Sequence, residues 1–254
     1  MKKLLAAVSF CFLIAIPTLL AQTPTHKKAA ERKAAVVKAR MIQALGGQQA
    51  LRQIDFMTYT LTREAYREKD TVRVSQHWYV HLRQPHIVRL DVAGTDTTVV
   101  GTTISHPALS EQENKTIHDA LRRSVFFNFL YLLNAPEARY TYLGTYLYKG
   151  QQLDIVRVHN SQSPDMRLDM FVNTKGEVIT SSSPTPETGA YERFGDEYDF
   201  VKVSDKLVFP VRYRVVQNNK VIAEGIFSDM AFNALSPFWQ KQLNKYQIRP
   251  QIQH

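Results

Sequence analysis

The chain has 254 residues, 44% of them hydrophobic, with a formal net charge of +9 and one cysteine. A chain of this size can bury a full core in a single domain, and a lone cysteine excludes a disulfide framework or a cysteine-ligated metal. The first residues, MKKLLAAVSFCFLIAIPTLLAQ, combine a basic start at Lys2 and Lys3, an apolar run from Leu4 to Ile16 and a break at Pro17. They read as a secretory signal peptide spanning 1–21, which leaves 22–254 as one domain. The apolar run is shorter than the roughly 20 residues that cross a membrane. Cys11 lies inside it, so the mature chain has no thiol. Losing Lys2 and Lys3 lowers the charge to about +7. The expected location is the periplasm or the extracellular space. An exported chain meets little nucleic acid, so none is expected as a partner. The basic residues of the first helix suit an anionic envelope surface instead, or a solvated face with no partner.

From Thr25 to Leu45, Ala30, Ala34, Val37, Met41 and Leu45 recur every three or four residues and predict an amphipathic helix, stopped at Gly46-Gly47. Four strand-like segments follow. In Phe56 to Tyr66, Met57, Tyr59 and Leu61 alternate with threonines. In Thr71 to Leu82, Val72, Val74, Trp78, Val80 and Leu82 mark one face and Arg73, His77, Tyr79 and His81 the other, the period of a half-buried antiparallel strand. An odd-length loop at Arg83 to Pro85 would align the next strand so that Val80 meets Val88 and Trp78 meets Leu90. A fourth strand covers Thr97 to Ile104. Pro107 to Lys115 reads as a polar connection.

Thr116 to Asn134 then reads as one helix, half polar at first and almost wholly apolar from Phe126 to Leu133, and ended by Ala135-Pro136. A helix that is apolar all round has to be buried. About seven more strands follow, with tyrosines at 140, 142, 146 and 148 placed on one face, turns at Lys149-Gly150 and at Asn173-Thr174-Lys175-Gly176, and a long loop from Ser182 to Gly189. Ser236 to Lys245 suggests a short terminal helix. The fold class is therefore mainly β (α+β): about eleven antiparallel strands forming an unclosed barrel or strongly curved sheet, with a leading helix and a central helix packed in its concave side.

Several local patterns resemble the LolA/LolB-like superfamily of envelope lipoprotein carriers and, more locally, a family of secreted bacterial proteins of unknown function. They are Ala44-Leu45-Gly46-Gly47 with Ala50-Leu51 and Ile54; Phe126-Phe127-x-Phe129-Leu130-x-x-Leu133; Gly189-x-x-x-Arg193-Phe194; Val203-x-Asp205-Lys206-x-Val208-Phe209-Pro210; and Ser228-Asp229-x-x-x-Asn233. Lys206 stands where the family form carries glycine. The resemblance implies an unclosed barrel covered by helices, whose apolar interior accepts acyl chains or another hydrophobic ligand.

The residues expected to line such an interior are Trp78, Val80, Leu90, Phe126, Phe129, Leu130 and Leu133. The partner would be a hydrophobic small molecule, a lipid or a lipidated protein. No cofactor and no metal are expected. His77 and His81 are four residues apart, which on a strand is about 13 Å and too far for one ion. No Gly-x-Ser-x-Gly elbow occurs. A hydrolase would have to use His77 with a carboxylate such as Asp91, or the carboxylates Glu197 and Asp199. The hydrolase is the third reading; the alternative to a hydrophobic-ligand carrier is an envelope structural or interaction module with a filled core. The sequence carries no signal of oligomeric state.

Overall fold

The computed structural model describes residues 24–67, 70–82, 87–93, 96–101, 109–126, 128–163, 166–182, 193–217 and 220–245. The leading helix α1 (Pro24–Ala44) and a short α2 (Gln48–Arg52) precede four strands: β1 (Phe56–Tyr66), β2 (Thr71–His81), β3 (Ile87–Ala93) and β4 (Asp96–Gly101). Helices α3 (Glu111–Phe126) and α4 (Phe129–Leu132) follow. Then come β5 (Ala138–Tyr148), β6 (Gln151–Asn160), β7 (Arg167–Val172), β8 (Val178–Ser182), β9 (Arg193–Lys202), β10 (Val208–Gln217), β11 (Lys220–Phe232) and α5 (Pro237–Lys245).

All pairings are antiparallel, in the order β4-β3-β2-β1-β11-β10-β9-β8-β7-β6-β5. The ends β4 and β5 do not pair, so the barrel is unclosed. Two stretches meet at β8–β9, where the described ladder is the single pair Ser181 and Gly195.

The curl of this sheet follows from α4. Asn128, which caps it, reaches Met57 of β1, and Leu132 O accepts a 2.7 Å hydrogen bond from the Tyr140 hydroxyl of β5. In the strand order β1 and β5 are seven steps apart, roughly 34 Å in a flat sheet at about 4.8 Å per strand. A one-turn helix about 6 Å long touches both only if the sheet wraps around it. Phe129, Leu130, Leu132 and Leu133 are accordingly buried in one core cluster with Met57, Val80, Val156, Met170 and Phe209. The predicted stripe of α1 joins the same cluster through Val37, Met41 and Leu45.

Three expectations are corrected. The central helix is two helices: α3 ends at Phe126, and Asn128 restarts the chain as the N-cap of α4, its side chain accepting from Leu130 N at 3.0 Å. Its start also lies earlier than Thr116. Ser110 and Glu113 form a capping box, with Ser110 N donating to the Glu113 carboxylate at 2.8 Å and Glu113 N donating to Ser110 Oγ at 3.3 Å. Secondly, the tyrosines of β5 do not share a face. A bulge between Tyr142 and Gly144, where Gly144 has φ +122°, turns the strand over. Tyr140 and Tyr142 stay under α1, while Tyr146 and Tyr148 join an outer cluster with Leu153, Ile155 and Phe171.

The third correction concerns register. Trp78 pairs with Arg89, Tyr79 with Val88 and His77 with Leu90. The expected alignment is off by one residue, so the apolar faces of β2 and β3 are not the same face. Val88 instead joins Tyr79 and Phe56 on the outer side, covered by Trp239 and Leu243 of α5.

The residue Asn233 ties the end of β11 to the start of β1. Its side-chain oxygen accepts from Asp55 N at 2.8 Å, and its amide donates to Gln53 O. Asn233→Ala leaves these backbone groups without partners and is expected to cost about 1–3 kcal/mol. A urea titration with a lowered midpoint and an unchanged slope would show it.

Candidate functional site

The inner face of β1, β2 and β9–β11 does not fill completely. A cavity of about 530 Å³ remains between it and the helices, with Ala120 of α3 and Phe129 of α4 on its roof. Among the described residues its wall carries seven aromatic rings, those of Tyr59, Trp78, Phe129, Tyr198, Phe209, Tyr213 and Phe227. They pack on one another: Tyr59 stacks on Trp78 at 5.9 Å, and Phe227 meets Tyr59 edge-on at 5.3 Å, as Phe129 does Tyr198 at 5.0 Å. Such contacts hold the rings in place and keep the wall in shape.

Polar groups enter from one flank. Arg63 of β1, Gln76 of β2 and Arg89 of β3 line the cavity, and the Arg89 guanidinium lies 5.6 Å from the centre of the Trp78 ring. The Trp78 side chain is 5% exposed, and its indole Nε1 has no hydrogen-bond partner. The Tyr59 hydroxyl is pushed well above the ordinary tyrosine range by burial first and by Tyr213 second.

The structure places the expected lining residues differently. Trp78 and Phe129 stand on the wall. Leu130 borders a separate pocket of about 190 Å³ beside Leu51, Ile54 and Leu82. Val80 and Leu133 are buried in the core cluster and are not among the residues lining the 530 Å³ cavity. Leu90 pairs with His77 rather than Trp78, and its side chain, like that of Phe126, lies outside the described residues. Sequence reading missed Arg63, Gln76 and Arg89. A signal for two of them existed: Gln76 interrupts the apolar face of β2, and Arg63 continues the series Met57, Tyr59, Leu61. Arg89 was hidden by the register.

The hydrolytic reading loses its pair. His77 Nδ1 is 3.0 Å from Thr60 Oγ1, and the imidazole ring packs against Phe238 of α5, on the outer side of the sheet. Asp91 pairs with Gln76. Asp199 is bound by Arg214 at 2.6 Å, and the side chain of Glu197 lies outside the described residues. Among the described residues no group of three His, Cys, Asp or Glu side chains could hold a metal, and no helix is long and apolar enough to cross a membrane. The basic face of α1 is partly spent on the sheet: Lys33 and Lys38 lie over Tyr142 and Tyr140, and Arg40 is ion-paired with Asp154.

No family model matches the chain, and no curated protein matches it by sequence. By fold it is similar to a DUF1329 family protein from Desulfovibrio piger, at 10% identity and TM-score 0.48, over 80% of this chain and 95% of that one. It is also similar to a putative outer membrane lipoprotein-sorting protein domain from Vibrio parahaemolyticus, at 10% identity and TM-score 0.48, over 86% and 99%. A LolA superfamily protein from Nitrosomonas europaea matches at 10% identity and TM-score 0.44, over 83% and 96%.

Two outcomes test this geometry. A Cβ on Gly225 would stand 2.2 Å from Cε1 of Tyr213, so the Tyr213 ring lies directly over the glycine. In Gly225→Ala the ring has to swing into the cavity, and a crystal structure is expected to show it there, with the sheet unchanged. Burial raises the ionisation of Tyr59 and Tyr140 above the ordinary range and pushes Tyr79 up to about 12. The unfolded chain ionises its tyrosines near pH 10. This stability is therefore whole below about pH 10 and is lost as pH rises through the folded values. An absorbance titration should show these phenols ionising only together with alkaline unfolding.

Proposed function

We propose that the chain is an exported, non-catalytic binding or carrier protein of the cell envelope, whose ligand is an acyl chain, a lipidated protein or another hydrophobic molecule. Residues 1–21 are the signal peptide, and 22–254 form the working domain in the periplasm or outside the cell. The observation that carries this reading is the 530 Å³ cavity walled by seven aromatic rings beneath Phe129. Its volume falls in the range of about 300–1,000 Å³ typical of small-ligand sites. Each methylene withdrawn from water into it contributes about 0.8 kcal/mol.

A second reading, an envelope interaction module, is favoured by the other half of the molecule. Val156, Val158, Met170 and Val172 are fully buried in the core cluster that α1 and α4 share.

Protein exported by its own signal is expected to begin at Gln22 on N-terminal sequencing. Native mass spectrometry with lipid extraction should find bound lipid. A saturating hydrophobic ligand at 100 times its dissociation constant should add about 2.7 kcal/mol and raise the melting temperature by roughly 5–10 °C. No extracted lipid, together with an unshifted melting temperature for hexadecanol and for palmitate, would favour the interaction module.

A further inference from the structure

The two flanks of the cavity differ in chemistry, and the sheet order separates them. On the β9–β11 side the lining side chains are Tyr198, Phe209, Pro210, Tyr213, Val215 and Phe227, with hydroxyls as their only polar atoms. On the β1–β3 side Arg63, Gln76 and Arg89 come from three neighbouring strands. They lie on a diagonal: Arg63 pairs with Val74, Gln76 with Leu61 one row further in, and Arg89 with Trp78 one row beyond that. Arg63 and Val74 are exposed at the outer end of this line, while Trp78 is buried at its inner end. A path thus leads from solvent past one guanidinium and an amide to a second guanidinium. At its end stands the buried indole N–H of Trp78, which has no partner. Among the described residues that line the cavity none is a carboxylate.

We infer that this flank is an anion subsite, and that the ligand is an amphiphile with one anionic head, a carboxylate or a phosphate monoester, and a hydrocarbon tail. Guanidinium groups bind such heads by charge-assisted hydrogen bonds, and a buried N–H donor gains most from an acceptor that arrives with the ligand. The tail then lies against the β9–β11 rings under Phe129. The inference rests on the hydrophobic-ligand reading above and adds the head group to it.

The test is isothermal titration calorimetry of the mature chain with palmitate, hexadecyl phosphate and hexadecanol, each below its micelle concentration. At least one anion is expected to bind about tenfold tighter than hexadecanol. Which anion binds more tightly identifies the head. Arg89→Gln and the exposed-site variant Arg63→Gln should each bring that anion towards the alcohol's affinity and leave hexadecanol unchanged. Added salt should weaken only the anion. Trp78→Phe, which keeps a ring and removes the N–H, should weaken the anion more than the alcohol. Circular dichroism and melting temperature confirm that each variant is folded. Equal binding of all three probes overturns the anion subsite and leaves the hydrophobic-ligand reading standing, as does an equal loss for alcohol and anion in Arg63→Gln. If none of the three binds, both fail.

Discussion

A sheet that does not close must cover its inner face with something other than itself. In this chain the cover is four buried residues of one turn, Phe129, Leu130, Leu132 and Leu133, held by Asn128 at one end and by Tyr140 through Leu132 O at the other. Burying each of these side chains contributes about 1.5–3 kcal/mol. All four belong to one cluster with strands from both halves of the sheet. The curl of the sheet and the position of α4 are therefore one constraint. Without the turn the inner faces of β1 and β6 would have no common partner. Without the curl the turn could not reach both.

Local chemistry was legible where it is local. The α1 stripe, the strand spans of β1 and β2, and the turns at Lys149-Gly150 and Asn173 to Gly176 follow from spacing and turn residues alone. Lys149 and Gly150 both have positive φ, as a two-residue hairpin requires, and Asn173 accepts from Lys175 N and Glu177 N. Relations between elements were not legible. The bulge at Gly144 and the one-residue offset of β2 against β3 each turn side chains to the opposite face, and neither is encoded in the period of a single strand. The site suffered most from this. An alignment that matched apolar with apolar placed Leu90 beside Trp78, whereas the ladder puts Arg89 there and gives the cavity a charged flank.

The short patterns that carry the family resemblance acquire a physical meaning once the strands are placed. Leu45 O, at the end of α1, accepts from Val208 N, and a Cβ on Gly46 would stand 1.8 Å from Lys206 O. The glycine after α1 and the turn at Asp205-Lys206 are thus two sides of one close approach. Asn233, the last residue of another pattern, holds Asp55 and Gln53 beside them. Separate stretches of sequence converge on one end of the sheet and fix where α1, β1, β10 and β11 begin or end. These patterns maintain the frame around the cavity, and two of them also supply Phe129, Phe209 and Pro210 to its wall.

Under α1 the strands bury Val156, Val158, Met170 and Val172 fully, while the 530 Å³ cavity lies under Phe129. Engineered apolar voids cost about 24 cal/mol per Å³, so a dry void of 530 Å³ would cost on the order of 13 kcal/mol. That is comparable to the entire stability of a typical domain, about 5–15 kcal/mol. A fold that keeps this volume has to hydrate it or fill it. The guanidiniums of Arg63 and Arg89, the Gln76 amide and the Trp78 indole make hydration of one flank favourable. The rings of Phe209, Phe227 and Phe129 make it unfavourable on the other. Water along those rings is the water most readily given up, and hydrocarbon is the matter that replaces it with a gain.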